Sequence, residues 1–318
     1  MKFELTTDQR DFMTSLDRLI AASDPIAINR AWGEGDVAPG VALWGQLTDM
    51  GVPALLIPES DGGADATPVE MICAFEVLGR HAVPGPWIES AAFLATALTG
   101  GNRTAIAEGT IATVQVPPTT WALDADIAAR IYSTGPEICA VAHLSEDQNG
   151  AEARKSIDPT RRLIDVTAAE PVEMTNVDHA HDLATLAAAA ELLGAGERVL
   201  ADSVEYVKQR TQFGRQIGSY QAIKHQLANV RIALDFARPL VHGAAVNPTP
   251  QSVSAAKIQA GEAAQLAARI GLQVHGAIGY TAEYDLSRWI LRIRALNSAW
   301  GTPTAHRARL LDILTAAS

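Results

Sequence analysis

The sequence predicts a mainly α-helical fold with a small β domain: an N-terminal helical domain over 1–104, a reduced β domain over 105–178 and a C-terminal four-helix bundle over 179–318. Three observations carry this. Both ends place apolar residues every three or four positions, the helical period. The middle breaks into short β-prone runs with turn-rich spacers. Alanine is heavily used while aromatic residues make up only 5%, a composition suited to closely packed helices.

The helical domain opens at Thr6-Thr7-Asp8-Gln9, where Thr6 and Gln9 have capping-box spacing and Phe12, Leu16, Leu19 and Ile20 share one face. A second helix runs through Val41 to Met50 and stops at Gly51. After the connector 52–59 and the loop Ser60-Asp61-Gly62-Gly63, Thr67-Pro68-Val69-Glu70 restarts a helix that reaches about His81. One more helix spans 88–100, ended by Gly100-Gly101. In the middle, 111–116, 127–132, 138–142 and 163–166 read as strands, and 145–158 as a polar loop.

From Asp182 onward, Leu186, Leu193, Leu200 and Val207 recur every seven residues, with Ala190 and Val204 widening the stripe. Gly194 and Gly196 cost helix stability there, which points to a close helix crossing. After a glycine-marked corner at 210–218, Ser219 can cap a new helix whose last turns Pro239 should kink. Asn247-Pro248-Thr249-Pro250 is a turn. An alanine-rich helix follows to about His275, Gly276-Ala277-Ile278-Gly279 breaks it, and helices from Ala282 to Asn297 and from Thr302-Pro303 complete the chain.

At 318 residues there is room for two or three lobes and a sizeable core. A net charge of -11 argues against a nucleic-acid or anionic-membrane surface, since both need a basic footprint. Cys73 and Cys139 are too few for a disulfide scaffold or a zinc cluster. The start, Met1-Lys2-Phe3-Glu4-Leu5, has no apolar signal region, and no run of 18 apolar residues follows. The expectation is a soluble cytoplasmic protein.

No Walker loop, dinucleotide fingerprint or nucleophile elbow is present. His179-Ala180-His181-Asp182 has the residue types of a metal site but reads as a solvated linker, because a site needs further converging ligands. Arg288, Arg292 and Arg294 read as surface or inter-helix pairs. The corner Arg210-Thr211-Gln212-Phe213-Gly214-Arg215-Gln216-Ile217-Gly218-Ser219-Tyr220-Gln221 has two readings. It is an ordinary helix-turn-helix corner, with Gly214 and Gly218 supplying the turn and Phe213 packing inward. Alternatively, its guanidinium takes a phosphate and its ring lies against a flat heterocycle.

Paired with Gln273-Val274-His275-Gly276-Ala277-Ile278-Gly279-Tyr280, this corner resembles the flavin-contacting segments of acyl-CoA dehydrogenases. The Leu5–Gln9 start, the Trp44…Gly51…Pro58-Glu59…Gly62-Gly63 stretch and the helix ending in Tyr206…Arg210 agree with that family. The resemblance covers both helical lobes and implies an acyl-CoA dehydrogenase-like fold, FAD as cofactor, and oxidation of acyl-CoA thioesters at the α and β carbons. There, a carboxylate removes the α proton while the flavin accepts hydride. It implies that Arg210, Gln212, Phe213 and Gln221 reach the adenine and pyrophosphate end of a neighbouring subunit's FAD. Gln273, Gly276 and Ala277 would contact the same end, although Ala277 departs from the family's glycine. No metal is implied.

The departures fall on the chain's own catalytic parts. Where the family's usual base is a glutamate before Gly-Thr, this chain has Trp300-Gly301-Thr302, and tryptophan has no basic group. In members that take the base from the first bundle helix, the positions correspond to Ala184 and Thr185, with Asp182 the only nearby carboxylate. The Thr-Glu-Pro…Gly-Ser-Asp strand motif is not recognisable between 105 and 180. The chain therefore resembles the short non-catalytic subunit of the heterotetrameric (α2β2) enzymes of actinobacterial sterol catabolism. Its larger catalytic partner would bind most of the acyl-CoA, of steroid origin by resemblance alone, and this chain by itself would be inactive. A self-sufficient dehydrogenase with an atypical carboxylate base and a non-enzymatic helical scaffold of the same fold are the alternatives.

Overall fold

A computed structural model describes residues 4–135, 139–144, 154, 156–212, 214–281 and 284–316. The fold is mainly helical with a small sheet region. Its contacts divide the chain into two units, one formed by Arg18–Met71 and Val83–Ala184, the other by Met1–Asp17, Ile72–Ala82 and Thr185–Ser318. Helices α1 (Thr7–Ala22), α4 (Pro68–Arg80) and α7 (Val177–Gln209) each contribute residues to both.

The capping box read at Thr6 forms in full, while at Thr67 the Glu70 half forms and the Thr67 hydroxyl takes the Val69 N–H instead (3.2 Å). The Thr6 N–H donates to Gln9 Oε1 (2.9 Å) and the Gln9 N–H to Thr6 Oγ1 (3.2 Å); Glu70 likewise accepts from the Thr67 N–H at 3.0 Å. The sequence pattern misses α2 (Pro25–Gly33), a nine-residue helix capped by the Asp24 carboxylate. Helix α3 (Ala38–Asp49) stops at Gly51, which takes φ 79°. The helix expected over 88–100 is instead a buried π-helical segment, Ile88–Leu94, running into the short α5 (Ala95–Ala97). Gly100 does not end a helix but begins α6 (Gly100–Ala107).

The sheet has five strands in the order β1-β3-β4-β5-β2, where β1 is Ala112–Gln115, β2 Trp121–Leu123, β3 Arg130–Thr134, β4 Cys139–Leu144 and β5 Leu163–Pro171. The β1–β3 pair is parallel and the other pairs are antiparallel. Four of these strands were expected; β2, three residues long, is too short to show alternation. Ala122, Ala125, Ile131, Ala142 and Ile164 form its small core, and the scarcity of large side chains explains why the region reads as thin.

Asp124 ties the end of β2 to the segment before β5. Its N–H donates to the Arg162 carbonyl (2.7 Å), and its Oδ1 accepts from the Arg162 Nε at 3.3 Å. The other carboxylate oxygen, Oδ2, is buried without a donor among the described residues. Burial pushes the Asp124 carboxyl up to about 7, against the pull of Arg162 and Arg161.

The other unit is built from α8 (Gln221–Val246), α9 (Pro250–His275), α10 (Leu286–Ser298), α11 (Pro303–Ala316) and the adjoining parts of α1, α4 and α7. Leu186, Leu193, Leu200 and Val207 are all buried, as their period requires. The close crossing read from Gly194 is present: a Cβ on Gly194 would land on the Glu76 carbonyl oxygen, and one on Gly79 would land on that of Glu191. At Gly196, a Cβ would lie 2.9 Å from Leu234 Cδ2. Backbone contact this close buries the carboxylates beside it, and both are answered. Arg238 Nη1 donates to both oxygens of Glu76 (2.8 Å each) while its Nη2 reaches Glu197 (2.7 Å). Arg292 pairs with Glu191 at 2.8 Å, with both side chains buried. Pro239 lies inside α8, which continues to Val246.

Two measurements check these accounts. Gly194→Ala should destabilise the protein by roughly 1–3 kcal/mol through overpacking. Gly45→Ala, exposed in α3 with open space around it, should be neutral or stabilise by up to about 1 kcal/mol; equal effects in denaturant melts would contradict the crossing. For Asp124, a carboxyl whose folded value is raised contributes stability that is full below its unfolded range. That stability is lost as pH rises toward 7, by up to about 4 kcal/mol. Asp124→Asn should flatten this part of the pH–stability curve.

Candidate functional site

Helix α7 ends at Gln209, and Arg210 begins a tight excursion. The Arg210 N–H still donates to the Tyr206 carbonyl (2.9 Å), while its own carbonyl accepts from the Ile217 N–H (2.9 Å). Between these anchors, β6 (Thr211–Gln212) and β7 (Arg215–Gln216) pair antiparallel, Thr211 opposite Gln216 and Gln212 opposite Arg215. The corner is thus a miniature hairpin rather than a plain helix turn. Gly214 takes φ 78° with open space around it, as a turn residue should. Gly218 serves differently, by close approach: a Cβ there would sit 2.9 Å from the Val207 carbonyl oxygen. Ser219 does not cap α8; its hydroxyl donates to the Gln216 carbonyl (2.6 Å), and Tyr220 occupies the N-cap without a side-chain bond. The Arg215 guanidinium lies over the Tyr220 ring at 3.8 Å. Phe213 lies outside the described residues.

The second segment begins where α9 ends. Gly276 takes φ 63° and ψ −139°, a conformation suited to glycine, and a 3-10 turn follows over Gly276–Tyr280. The two segments meet through aromatic rings. Tyr206, one turn before Arg210, stacks on His275 with ring centroids 4.1 Å apart, and Tyr284 closes the cluster at 5.2 Å from His275. Gly271 permits this approach, since a Cβ there would lie 2.7 Å from Val199 Cγ1 on α7. The His275 Nδ1 pairs with the Gly271 carbonyl at 2.7 Å. Burial pushes the His275 imidazole below its usual range, keeping it neutral near pH 7. Sequence reasoning quoted both rings but missed this stack, which joins positions 69 residues apart.

Arg210, Gln212, Gln221, Gln273 and Ala277 are all exposed, and Gly276 is half-buried. The Arg210 side chain makes no hydrogen bond or ion pair among the described residues. One free guanidinium, three carboxamides and an open glycine backbone fit a pyrophosphate and a heterocycle, so the donor set is compatible with the end of FAD implied by the resemblance.

The turn at the family's usual base position, where the sequence puts Trp300 in place of a base, is tied down by several hydrogen bonds. Trp300 and Gly301 take φ 56° and 98°. The Trp300 carbonyl accepts from Thr185 Oγ1 (3.3 Å) and pairs with His306 Nε2 (2.9 Å). The buried Lys257 ammonium donates to the carbonyls of Leu296, Ala299 and Gly301 at 2.9, 2.9 and 3.1 Å. Asp182 is buried, as are Ala184 and Thr185. Arg292 forms the inter-helix pair already described, whereas Arg294 is exposed. Among the described residues no group of three His, Cys, Asp or Glu side chains is placed to hold a metal. No described helix is long and apolar enough to cross a membrane.

Residues 178–314 match the family model described as acyl-CoA dehydrogenase, C-terminal domain. The chain is 34% identical over 281 residues to acyl-CoA dehydrogenase IpdE2 of Mycobacterium tuberculosis, covering 86% of this chain and 87% of that protein. Its fold matches the ChsE4-ChsE5 complex from Mycobacterium tuberculosis with a TM-score of 0.82 at 24% identity, covering 99% of both chains. It also matches a variant of the Tcur3481-Tcur3483 steroid ACAD with a TM-score of 0.82 at 21% identity, covering 98% of this chain and 99% of that one.

Protonating His275 would place a charge in the ring stack. Because its folded value is lowered, its contribution to stability is full above about pH 6.5 and is lost as pH falls below that range. His275→Phe should retain a ring against Tyr206 and show a shallower loss of stability below pH 6.5. An unchanged slope in pH-dependent melts would contradict this role.

Proposed function

The chain belongs to the acyl-CoA dehydrogenase family, and from that premise we propose that it is the non-catalytic subunit of a heteromeric, FAD-dependent acyl-CoA dehydrogenase. In this reading it lends the adenine and pyrophosphate end of the FAD site to a larger catalytic partner, in an α2β2 assembly in the cytoplasm. The division into 1–104, 105–178 and 179–318 belongs to the same proposal, with the last part carrying the cofactor contacts.

The observation that carries it is the outward placement of the candidate cofactor residues. Arg210, Gln212, Gln221, Gln273 and Ala277 are exposed, on two segments joined by the Tyr206–His275 stack. Contacts arranged this way suit a ligand whose other end is held by a neighbouring chain. Arg210 would hold the pyrophosphate charge, the carboxamides would orient the adenine end, and Gly276 would let backbone groups approach closely. FAD, when bound, supplies the hydride acceptor. The α-proton base would come from the partner, because Trp300 stands where this chain would otherwise carry one and indole accepts no proton at working pH. Burial of Asp182 weighs against the self-sufficient reading. The complex of two subunits and the steroid ACAD among the matched folds favour a heteromeric assembly and a steroid-derived acyl-CoA.

The test is co-expression with a candidate catalytic subunit, followed by flavin content and dehydrogenation assays. The isolated chain should retain little FAD and show no activity. In the complex, Arg210→Ala should weaken FAD by about 1.5–3 kcal/mol, the worth of a charge-assisted hydrogen bond, without dissociating the subunits. Full activity of the isolated chain would refute the reading.

A further inference from the structure

We propose that the exposed face of α8 is the surface on which the catalytic subunit docks, through an uncharged apolar contact centred on Phe236. Ile232, Phe236, Leu240 and Val246 are 51%, 68%, 42% and 56% exposed. At about 100° per residue, the last three all lie within roughly 40° of Ile232 around the helix axis, so the four form one stripe. Pro239 is exposed on the same line. A contiguous exposed apolar run of this kind marks an interaction site. The charges beside it are answered within the chain: Arg231 pairs with Glu197 at 2.6 Å and with Asp235 at 2.8 Å. The stripe therefore calls for an apolar surface opposite, not for a charged one.

Area decides between the occupants. Aromatic side chains bury about 150–250 Å² each, so four half-exposed side chains supply roughly 400 Å², about half of the 800 Å² that each partner brings to a standard interface. A second copy laid antiparallel matches only the run Ile232, Phe236 and Leu240 about its own dyad. Sliding it further sets Gln221 and His225 against apolar side chains. That contact is too small to hold alone. The missing area lies on the same face of α8, where Gln221, His225 and Ala228 are exposed and fall within about 40° of Ile232. Gln221 is also a candidate cofactor residue. A chain that holds the rest of the flavin covers that end and reaches the apolar run along one helix, over about 38 Å from Gln221 to Val246. The identity of the occupant rests on the proposed non-catalytic role, whereas the apolar face does not.

The test measures the affinity of this chain for the co-expressed catalytic subunit, together with the mass and melting temperature of each chain alone. Phe236→Asp should weaken the complex at least ten-fold and Phe236→Leu should preserve it, while both variants melt like the wild-type chain. The isolated chain should have the same mass with and without Phe236→Asp. A complex indifferent to Phe236→Asp would overturn the proposal. So would an isolated chain that is a dimer and becomes a monomer on that substitution, since the face would then belong to a second copy. Arg210→Ala separates the two readings. Flavin loss in that variant, beside an intact Phe236→Asp complex, removes the docking face and leaves the cofactor role. Retained flavin, beside a dissociated Phe236→Asp complex, removes the cofactor role and supports the docking face.

Discussion

The backbone contact between α4 and α7 at Gly79 and Gly194 is the constraint on which the helical unit depends. With no side chain on either side, each helix lays its backbone against a carbonyl of the other. The same closeness buries Glu76 and Glu191, whose charges require partners in the interior. Arg238 brings α8 to the first and Arg292 brings α10 to the second. Helix α10 is further fixed where the Trp289 indole donates to the Arg80 carbonyl at 3.0 Å. Its other end is gathered by Lys257, so the Trp300 turn inherits a position set at the crossing.

The end of the same unit that carries the candidate cofactor residues uses a different device. Gly271 brings α9 against α7, and the Tyr206–His275 stack then fixes two polar segments relative to one another. Beyond that stack the structure turns outward. Lys208, Arg210, Arg215 and Lys224 are exposed around the hairpin, a local basic region on an acidic protein. A cationic end of this kind favours a phosphate, while the surrounding net negative charge discourages nucleic acid. The hydrogen-bonded turn at Trp300 and the exposure of the candidate cofactor residues are the features on which the proposed division of labour rests.

Much of this was legible in the sequence because it follows from local rules. Heptad spacing marked the buried face of α7, and the Gly194 anomaly in that face announced the crossing. Caps at Thr6 and Thr67 were readable because each is closed within four residues. What was not legible depends on distant pairing. Strand β2 is only three residues long and is a strand because β5 pairs with it. The π-helical segment reads as an ordinary helix, since both bury the same apolar run. Gly218 looked like a turn residue, but the Val207 carbonyl, not a positive φ, explains it. The resemblance supplied the pairing of 210–221 with 273–280; the residues that couple them, Tyr206 and His275, emerged only from the fold.

The central claim is that this chain holds the adenine end of a flavin whose reacting ring belongs to another subunit. Photolabelling of the assembled complex with 8-azidoadenine FAD, followed by peptide mapping, tests it most directly. Label on this chain within 210–221 or 273–277 is the result expected. Label confined to the partner, in a complex that is fully flavinated and active, would contradict the account.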